Sequence, residues 1–254
     1  MKGSHVKKHL LLFDIDGTLT KPVNEIEENM IHALERAKKH FDLAVVGGSD
    51  RAKQIKQLGK SIAIFDYAFS ENGTVAYDAK QDIFHKTSIA KHFGEEKFKE
   101  IINFLLRYIA DLDIPIKRGT FIEFRNGVLN ASPIGRNCTQ QERDEFEIFN
   151  KKEKILPKMA DAIRAKFKDD GLYVSIGGQI SMDLFPSGWD KRYCLQFIDD
   201  KYEDIHFFGD KCFEGGNDFE IFHDKRVIPH DVIQGPLKTI EVIDSLIKKY
   251  GDHN

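Results

Sequence analysis

The feature that most constrains the fold of this chain is the apolar run at residues 10–13, which ends at Asp14-Ile15-Asp16-Gly17. Such a run followed by glycine is typical of a buried parallel strand that opens into a loop. Side chains two positions apart on a strand point the same way, so the two carboxylates should converge at its carboxyl end. Paired acids at that edge can hold Mg²⁺, attack phosphorus or move a proton. A bare Asp-x-Asp is also common in a turn that closes a strand.

Length and composition favour two domains without a nucleic-acid groove. The 254 residues are 41% hydrophobic, which suits two modest cores. The 38 basic and 41 acidic residues leave a net charge of −3 and form no long single-sign block, so no nucleic-acid partner is expected. No segment has the length of a membrane span and no signal peptide is recognised, which predicts a cytoplasmic protein without a membrane partner. The three cysteines are too scattered for a disulfide framework or a zinc site and are expected to be reduced.

The order of elements predicts one domain inserted into another. Apolar residues at helical spacing between 26 and 41, then the apolar run 43–46, indicate a strand, a helix and a second strand. From about residue 85 the pattern changes to a long helix, short strands joined through Asn126-Gly127 and Gly177-Gly178, and two more helices, which suits antiparallel hairpins. The parallel pattern then resumes. The predicted fold is α/β: a Rossmann-like parallel-sheet core, residues 1–84 and 187–254, with an inserted α+β cap domain, residues 85–186, that contains an antiparallel sheet.

Further polar residues follow the core strands at the same edge. Ser49, after two glycines, could offer its hydroxyl and N–H to a phosphate at a helix start, although Gly-Gly-Ser is more often a turn with an N-cap. Lys191 begins a predicted helix and could bind a phosphate or simply face solvent. Asp210 ends a buried strand, and Asp218 closes the glycine-bearing loop after it. Carboxylates gathered there need a cation, and oxygen ligands without a His or Cys cluster match Mg²⁺.

The predicted cap carries a concentration of arginines. Arginine suits bidentate phosphate recognition, although scattered surface arginine is the default interpretation of each one. Several of them in a cap are best explained by a substrate with a phosphate of its own. The four are Arg118, Arg125, Arg136 and Arg143. Ser181 and Asp183 share one face of a strand and could bind sugar hydroxyls or form the polar face of an edge strand.

These motifs resemble those of a known superfamily and, within it, one family. Asp-x-Asp, Gly-Gly-Ser, the lysine and Gly-Asp…Gly-Gly-Asn-Asp occur in the order found in the haloacid dehalogenase superfamily. The blocks at residues 119–127, 130–136, 175–181 and 188–194 are similar to those of eukaryotic phosphomannomutases. The resemblance covers nearly the whole chain. It implies a core of haloacid dehalogenase type.

The resemblance also implies roles for individual residues. Asp14 would be the phosphorylated nucleophile and Asp16 the general acid/base. Mg²⁺ would be held by Asp14, the backbone carbonyl of Asp16, and Asp210. Ser49 and Lys191 would hold the phosphoryl group, with Asp218 supporting the site. The hexose phosphate would be bound by Arg125, Arg136, Arg143, Ser181 and Asp183.

Two positions depart from the family pattern. Where the family often has an arginine after the first motif, this chain has Val23, and Lys21 is the nearest substitute, as a point charge rather than a fork. A second metal site in the last loop would correspond to Phe222, Asp224 and Val227. Valine has no side-chain oxygen, so the backbone carbonyls of Phe222 and Val227 would have to serve.

The function implied is the interconversion of mannose 6-phosphate and mannose 1-phosphate, which supplies GDP-mannose synthesis in the cytosol. A hexose 1,6-bisphosphate, of glucose or mannose, would be both activator and intermediate, and the protein would be a homodimer through its cap. The nearest alternative is a Mg²⁺-dependent sugar-phosphate phosphatase, since water can replace the sugar hydroxyl. A non-catalytic sugar-phosphate sensor is a further alternative. The chain retains the residues that catalysis would need, which argues against it: Asp14, Asp16, Lys191 and Asp210.

Overall fold

The structure is a computed structural model, and it describes residues 8–22 and 24–251. The chain divides into two compact units. The first contains the described residues up to Lys86 and those from Gly188 onward, and the second is Thr87–Ser187.

The first unit is built on a seven-stranded sheet. Its strands are β1 (His9–Phe13), β2 (Asp42–Val46), β3 (Tyr67–Ser70), β4 (Val75–Tyr77), β5 (Ile83–Lys86), β10 (Asp204–Gly209) and β11 (Ile228–Asp231). Their order is β11-β10-β1-β2-β3-β4-β5. Neighbours are parallel from β11 to β3, and β4 and β5 add two antiparallel strands. The predicted domain boundary at residue 84 falls inside β5, which pairs with β4 in this sheet.

Both faces of the sheet are covered, as the apolar run at its centre predicts. Leu11 and Phe13 of β1 join the apolar cluster on one face, and Leu10 and Leu12 join the cluster on the other. The helical elements of this unit are α1 (Glu28–Lys38), α2 (Arg51–Leu58), α7 (Phe219–Phe222), α8 (Pro236–Gly251) and the 3₁₀ segments Gly59–Ile64, Glu71–Gly73 and Lys191–Phe197. A strand buried on both faces belongs to the middle of a parallel sheet, so its carboxyl end opens at the sheet edge.

The second unit is an α+β layer with its own apolar core. Its helices are α3 (Ile89–Phe93), α4 (Glu95–Asp111), α5 (Gln140–Glu153) and α6 (Ile155–Lys166), and its strands are β6 (Ile122–Phe124), β7 (Leu129–Ala131), β8 (Leu172–Gly177) and β9 (Ser181–Pro186). The strands form an antiparallel sheet in the order β6-β7-β9-β8. Leu129, Met182 and Leu184 point into the core, so the intervening Asn130 and Asp183 lie on the opposite, polar face.

Two of the sequence predictions concern composition rather than topology. Cys138, Cys194 and Cys212 are unpaired and buried, which confirms the predicted reduced thiols. Within residues 8–22 and 24–251, no helix is both long enough and apolar enough to cross a membrane.

Candidate functional site

Three carboxylates meet at the carboxyl edge of the first unit's sheet. Asp14 follows β1, and its backbone N–H donates to the carbonyl of Phe208 on β10 at 2.9 Å. Asp210 follows β10, and Asp218 lies just before α7. One oxygen from each of these three carboxylates lies within 4.8 Å of the other two. The parallel pairing of β1 and β10 therefore brings together residues that are almost 200 positions apart in the sequence.

Lys191 is buried among these carboxylates. Its Nζ lies 2.5 Å from Asp14 Oδ1 and 2.5 Å from Asp218 Oδ1. The exposed fractions are 1% for Lys191, 4% for Asp14 and 0% for Asp218. Burial alone would lower the pKa of Lys191, but the two carboxylates outweigh it and raise that pKa, so the lysine stays charged. Burial raises the pKa of Asp14, and Asp218 adds to this effect, whereas Lys191 opposes it.

The donor set fits a divalent cation that prefers oxygen. One ammonium among three carboxylates leaves two negative charges when all are ionised. Burial and the charge of Asp218 raise the pKa of Asp210, and Lys211 and Lys191 oppose this shift. Asp210 Oδ1 is buried and has no hydrogen-bond partner among the described residues. These residues, all oxygen donors, match the preference of Mg²⁺.

Gly17 makes the close approach of Asp210 to the first loop possible. Its φ of +86° lies in the left-handed region, and a Cβ there would be 2.2 Å from Asp210 Oδ2. The glycine in Asp14-Ile15-Asp16-Gly17 is therefore required by the carboxylate that arrives from β10.

Asp16 makes different contacts from Asp14. Its Oδ1 accepts a hydrogen bond of 2.7 Å from Gln57 Nε2, and its Oδ2 lies 3.0 Å from Lys53 Nζ. Both partners are on α2. The side chain of Asp16 is not one of the three clustered carboxylates. This agrees with the prediction that Asp16 would bind Mg²⁺ through its backbone carbonyl and not through its carboxylate. Its predicted role as general acid/base stays a prediction.

The Gly-Gly-Ser loop lies after β2, where the sequence predicts it. Ser49 is half-buried, and its backbone carbonyl accepts a hydrogen bond from the N–H of Glu71 at 2.9 Å. The N-cap of α2 is Asp50, whose side chain accepts from the N–H of Lys53. The alternative role of Ser49 as an N-cap is therefore taken by its neighbour.

Of the four arginines that the sequence analysis singles out in the second unit, the structure brings three together. Arg125 Nη2 lies 2.5 Å and Arg136 Nε 3.2 Å from the same oxygen, Glu123 Oε2. Arg143 Nη2 donates to the backbone carbonyl of Arg136 at 3.2 Å. Arg118 instead pairs with Glu142, at 2.6 Å. Two guanidinium groups that share one carboxylate oxygen form a site suited to an anion.

The predicted sugar-binding residues lie on the same polar face. Asp183 is opposite Asn130, and Asn130 is opposite Glu123, across β9, β7 and β6. Asn130 Nδ2 donates to Asp183 Oδ1 at 2.7 Å and to Ser181 Oγ at 3.2 Å. Ser181 and Asp183 therefore belong to a hydrogen-bonded network and are not the polar face of an isolated edge strand.

In the predicted second metal site, Asp224 is paired with an arginine. The carboxylate of Asp224 accepts two hydrogen bonds of 2.9 Å from the guanidinium of Arg226, which lower its pKa. Val227 contributes no side-chain oxygen. The guanidinium of Arg226 would therefore compete with a metal ion for Asp224, and the second metal site stays a prediction.

The remaining departure concerns the loop after the first motif. Val23 lies outside the described residues. Lys21 Nζ is 2.7 Å from Glu27 Oε1 in an exposed ion pair. Its predicted part in phosphate binding stays a prediction.

Sequence reasoning did not identify Gln57, Glu123 or Asn130 as site residues. Gln57 lies 41 positions from Asp16, and only its position on the helix after Gly-Gly-Ser hints at proximity. Glu123 and Asn130 fall inside the blocks that resemble phosphomannomutases, and the alternation of β6 and β7 could have placed them on the polar face.

Comparisons with known proteins agree with this architecture. The model of the eukaryotic phosphomannomutase family matches residues 30–249. A phosphomannomutase of Dendrobium officinale is 53% identical over 246 residues, which is 96% of this chain and 96% of that protein. A phosphomannomutase of Schizosaccharomyces pombe is 54% identical over 230 residues, 89% of each chain.

Solved structures of lower sequence identity share the fold. A trehalose-6-phosphate phosphatase of Aspergillus fumigatus is similar, with a TM-score of 0.61 and 15% identity over 95% of this chain and 93% of that one. An IMP-nucleotidase of Plasmodium falciparum is similar with a TM-score of 0.59 and 16% identity, over 94% of this chain and 68% of that one. The predicted α/β fold of haloacid dehalogenase type is confirmed. The chain belongs to the eukaryotic phosphomannomutase family.

Proposed function

We propose that this protein is a phosphomannomutase that interconverts mannose 6-phosphate and mannose 1-phosphate through an aspartyl-phosphate on Asp14. The observation that carries the proposal is the buried group of Asp14, Lys191 and Asp218 beside Asp210. Its family relatives bear the name phosphomannomutase. The chain is then an enzyme, an intramolecular phosphotransferase of the isomerase class.

The first half-reaction transfers a phosphoryl group to the protein. An oxygen of Asp14 attacks one phosphorus of a hexose 1,6-bisphosphate, and the bond from that phosphorus to the sugar oxygen breaks. Asp16 gives its proton to the departing sugar oxygen. In the second half-reaction a hexose monophosphate accepts the group: Asp16 takes the proton of the free C1 or C6 hydroxyl while that oxygen attacks phosphorus. The bisphosphate is regenerated, so it serves as activator.

The residues around Asp14 stabilise the charge of the transferred group. The ammonium of Lys191 and the hydroxyl and N–H of Ser49 would bind phosphoryl oxygens. Stabilising the charge on these oxygens accounts for much of the catalysis of phosphoryl transfer. Asp218 keeps Lys191 in place and accepts hydrogen bonds from the backbone N–H groups of Asp210 and Lys211 at 3.2 and 3.1 Å. Mg²⁺, held by Asp14, Asp210 and the carbonyl of Asp16, would supply further positive charge when bound.

The polar face of the second unit would bind the hexose phosphate. Arg125, Arg136 and Arg143 supply charge for a phosphate that is not being transferred, and Ser181 and Asp183 supply partners for hydroxyl groups. A phosphate on the substrate itself distinguishes this set from a general sugar site, because arginine forks match phosphate oxygens.

A coupled assay tests the proposal. Mannose 1-phosphate should be converted to mannose 6-phosphate, and the rate should depend on both Mg²⁺ and a hexose 1,6-bisphosphate. Asp14→Asn should abolish turnover and leave the circular dichroism spectrum unchanged. Retained phosphoenzyme formation in that variant would refute the role of Asp14.

The same assay decides between mutase and phosphatase. A mutase releases little inorganic phosphate for each product formed, whereas a phosphatase releases one per turnover. A Mg²⁺-dependent sugar-phosphate phosphatase uses the same residues of the first unit. Stoichiometric phosphate release would therefore replace the mutase assignment and keep the aspartyl-phosphate.

The proposal also covers the cellular setting and the assembly. The product would supply GDP-mannose synthesis in the cytoplasm, and the protein would be a homodimer through the second unit. Light scattering during size-exclusion chromatography should give twice the chain mass of 29.2 kDa. A single-chain mass at micromolar concentration would overturn the dimer and leave the reaction unaffected.

A further inference from the structure

A buried amide lies at the centre of the polar face of the second unit. Asn130 is the middle residue of β7 and is 4% exposed. It lies opposite Glu123 on one side and Asp183 on the other. Burying an amide costs free energy unless its donor and acceptor groups are satisfied, so its partners indicate its role.

Both ends of this amide contact proposed substrate-binding residues. Nδ2 donates to Asp183 Oδ1 at 2.7 Å and to Ser181 Oγ at 3.2 Å. Oδ1 accepts a hydrogen bond of 2.7 Å from Nη1 of Arg136. An amide can donate to a carboxylate and accept from a guanidinium at the same time, which neither an aspartate nor an alanine can do.

Arg136 is held at a second point by Glu123. Its Nε lies 3.2 Å from Glu123 Oε2, an oxygen that it shares with Arg125. Glu123 thus supplies attraction to two cations, whereas Asn130 links Arg136 to the neighbouring strand β9. A guanidinium has five N–H donors, so these two contacts leave donors for an anionic ligand.

We propose that Asn130 is a positioning residue that fixes Arg136 and Asp183 relative to each other for binding of a hexose phosphate. The proposal rests on the proposed function and extends it. Arg136 binds the phosphate that is not transferred, Asp183 and Ser181 bind hydroxyls, and Asn130 sets the distance between these two kinds of contact. The ligand class is a sugar monophosphate.

The test compares Asn130→Ala and Asn130→Asp with the wild type. Loss of a buried hydrogen bond to a charged group should raise KM and Kd for mannose 6-phosphate about tenfold or more. Aspartate still accepts from Arg136 but repels Asp183, so Asn130→Asp should bind no better than Asn130→Ala. The kcat should change less than about threefold, and fluoroberyllate bound to Asp14 with Mg²⁺, followed by fluorine NMR, should be unchanged.

A matched control removes a buried polar group nearby. Ser132 is also buried, and its Oγ donates to the carbonyl of Ile180 at 2.9 Å. Ser132→Ala should keep the wild-type KM even if it lowers the melting temperature. Because Asn130 acts through Arg136, removing both should cost little more than removing Arg136 alone. The Kd of the double variant Asn130→Ala with Arg136→Ala should lie within about twofold of the Kd of Arg136→Ala.

The outcomes separate this inference from the proposed function. A folded Asn130→Ala or Asn130→Asp protein with wild-type Kd would overturn the inference while mutase activity of the wild type stands. A wild type that binds mannose 6-phosphate without mutase activity, together with tenfold weaker binding in Asn130→Ala, would overturn the function and support the inference. A wild type that binds no hexose phosphate would overturn both.

Discussion

At the scale of single residues, the first unit concentrates buried charge that its own side chains balance only in part. Lys191 is enclosed by Asp14 and Asp218, and all three are at most 4% exposed. Removing one member of a buried ion pair leaves its partner charged in a medium of low dielectric constant, which is far more costly than losing a surface pair. The stability of this site and its chemistry therefore depend on the same ammonium.

Replacing Lys191 by methionine removes that ammonium with little loss of volume. We expect the free energy of unfolding to fall by roughly 3 kcal/mol and turnover to fall by at least about a hundredfold. Urea unfolding, followed by the fluorescence of Trp189, the single tryptophan of the chain, measures the first effect. Lys238, in an exposed pair with Glu241, provides the control: Lys238→Met should cost less than about 1 kcal/mol. Equal stabilities of the two variants would contradict the importance of the buried ammonium.

At the scale of elements, some helices and strands can be predicted from local sequence patterns and others cannot. The helix at residues 51–58 and the hairpin through Asn126-Gly127 were predictable, because capping residues and turn chemistry are local. Strand β5 is an edge strand whose Ile83 and Phe84 are exposed, so no buried alternation reveals it. The helix predicted to begin at Lys191 is a 3₁₀ helix, Lys191–Phe197, since apolar spacing does not separate periods of 3.0 and 3.6 over seven residues.

The loop that carries Arg136 depends on a glycine contact in the second unit. Gly135 has a φ of +86°, and a Cβ there would lie 2.1 Å from the carbonyl oxygen of Gly119. Gly135→Ala should lower the free energy of unfolding by roughly 2 kcal/mol or more and raise KM for mannose 6-phosphate. Gly178, with a φ of +68° and open space around it, is the matched control and should cost about 1 kcal/mol. Similar losses for the two variants, measured by far-ultraviolet circular dichroism in urea, would disprove the backbone contact.

Strands β10 and β11 share a histidine pair that predicts pH-dependent stability. His206 Nδ1 and His230 Nε2 are 2.9 Å apart, and burial lowers the pKa of each to about 4. Lys249 adds to the shift at both histidines, and the charge of His230 adds to it at His206. His9, Tyr250 and Asp204 also face this pair, and Asp204 opposes the shift at His206.

The sign follows from proton uptake by the unfolded chain. Below about pH 6.5 the histidines of the unfolded chain bind protons, whereas the folded pair stays neutral. The contribution of the pair to the free energy of unfolding is therefore complete above that pH and is lost as the pH falls toward about 4. In the wild type, the free energy of unfolding should fall between pH 7 and 5, and His230→Gln should make that fall smaller by roughly 2 kcal/mol. Unfolding monitored through Trp189 measures it, with the exposed His32→Gln as control. A slope that His230→Gln leaves unchanged would contradict the prediction.

At the scale of the whole molecule, the sequence predicts which loops meet but not which side chains touch. Parallel pairing of β1 and β10 is enough to bring Asp14 and Asp210 to one edge, and that was predictable from two apolar runs that end in aspartate. The contact of Gln57 with Asp16, and the network around Asn130, depend on rotamers and register that no single-sequence pattern encodes. The site in the first unit was therefore largely predictable, whereas its positioning residues were not.

Binding of Mg²⁺ should stabilise the first unit through the carboxylate cluster. A ligand that binds only the folded state raises stability according to its concentration relative to Kd, by about 2.7 kcal/mol at a hundredfold excess over Kd. Melting followed by Trp189 fluorescence should shift upward with Mg²⁺ and return with EDTA. Asp210→Asn should remove most of the shift, and the surface variant Asp161→Asn should keep it. An equal shift in Asp210→Asn would place the ion elsewhere.

The most direct measurement is chemical identification of the phosphorylated residue. The protein is mixed with a hexose 1,6-bisphosphate and Mg²⁺, quenched, and treated with borohydride, which reduces an aspartyl-phosphate to homoserine, and the peptides are sequenced by mass spectrometry. We expect homoserine at residue 14, its loss when mannose 6-phosphate is added before the quench, and none in Asp14→Asn. An active protein that carries no homoserine at residue 14, or carries it at another aspartate, would contradict the account.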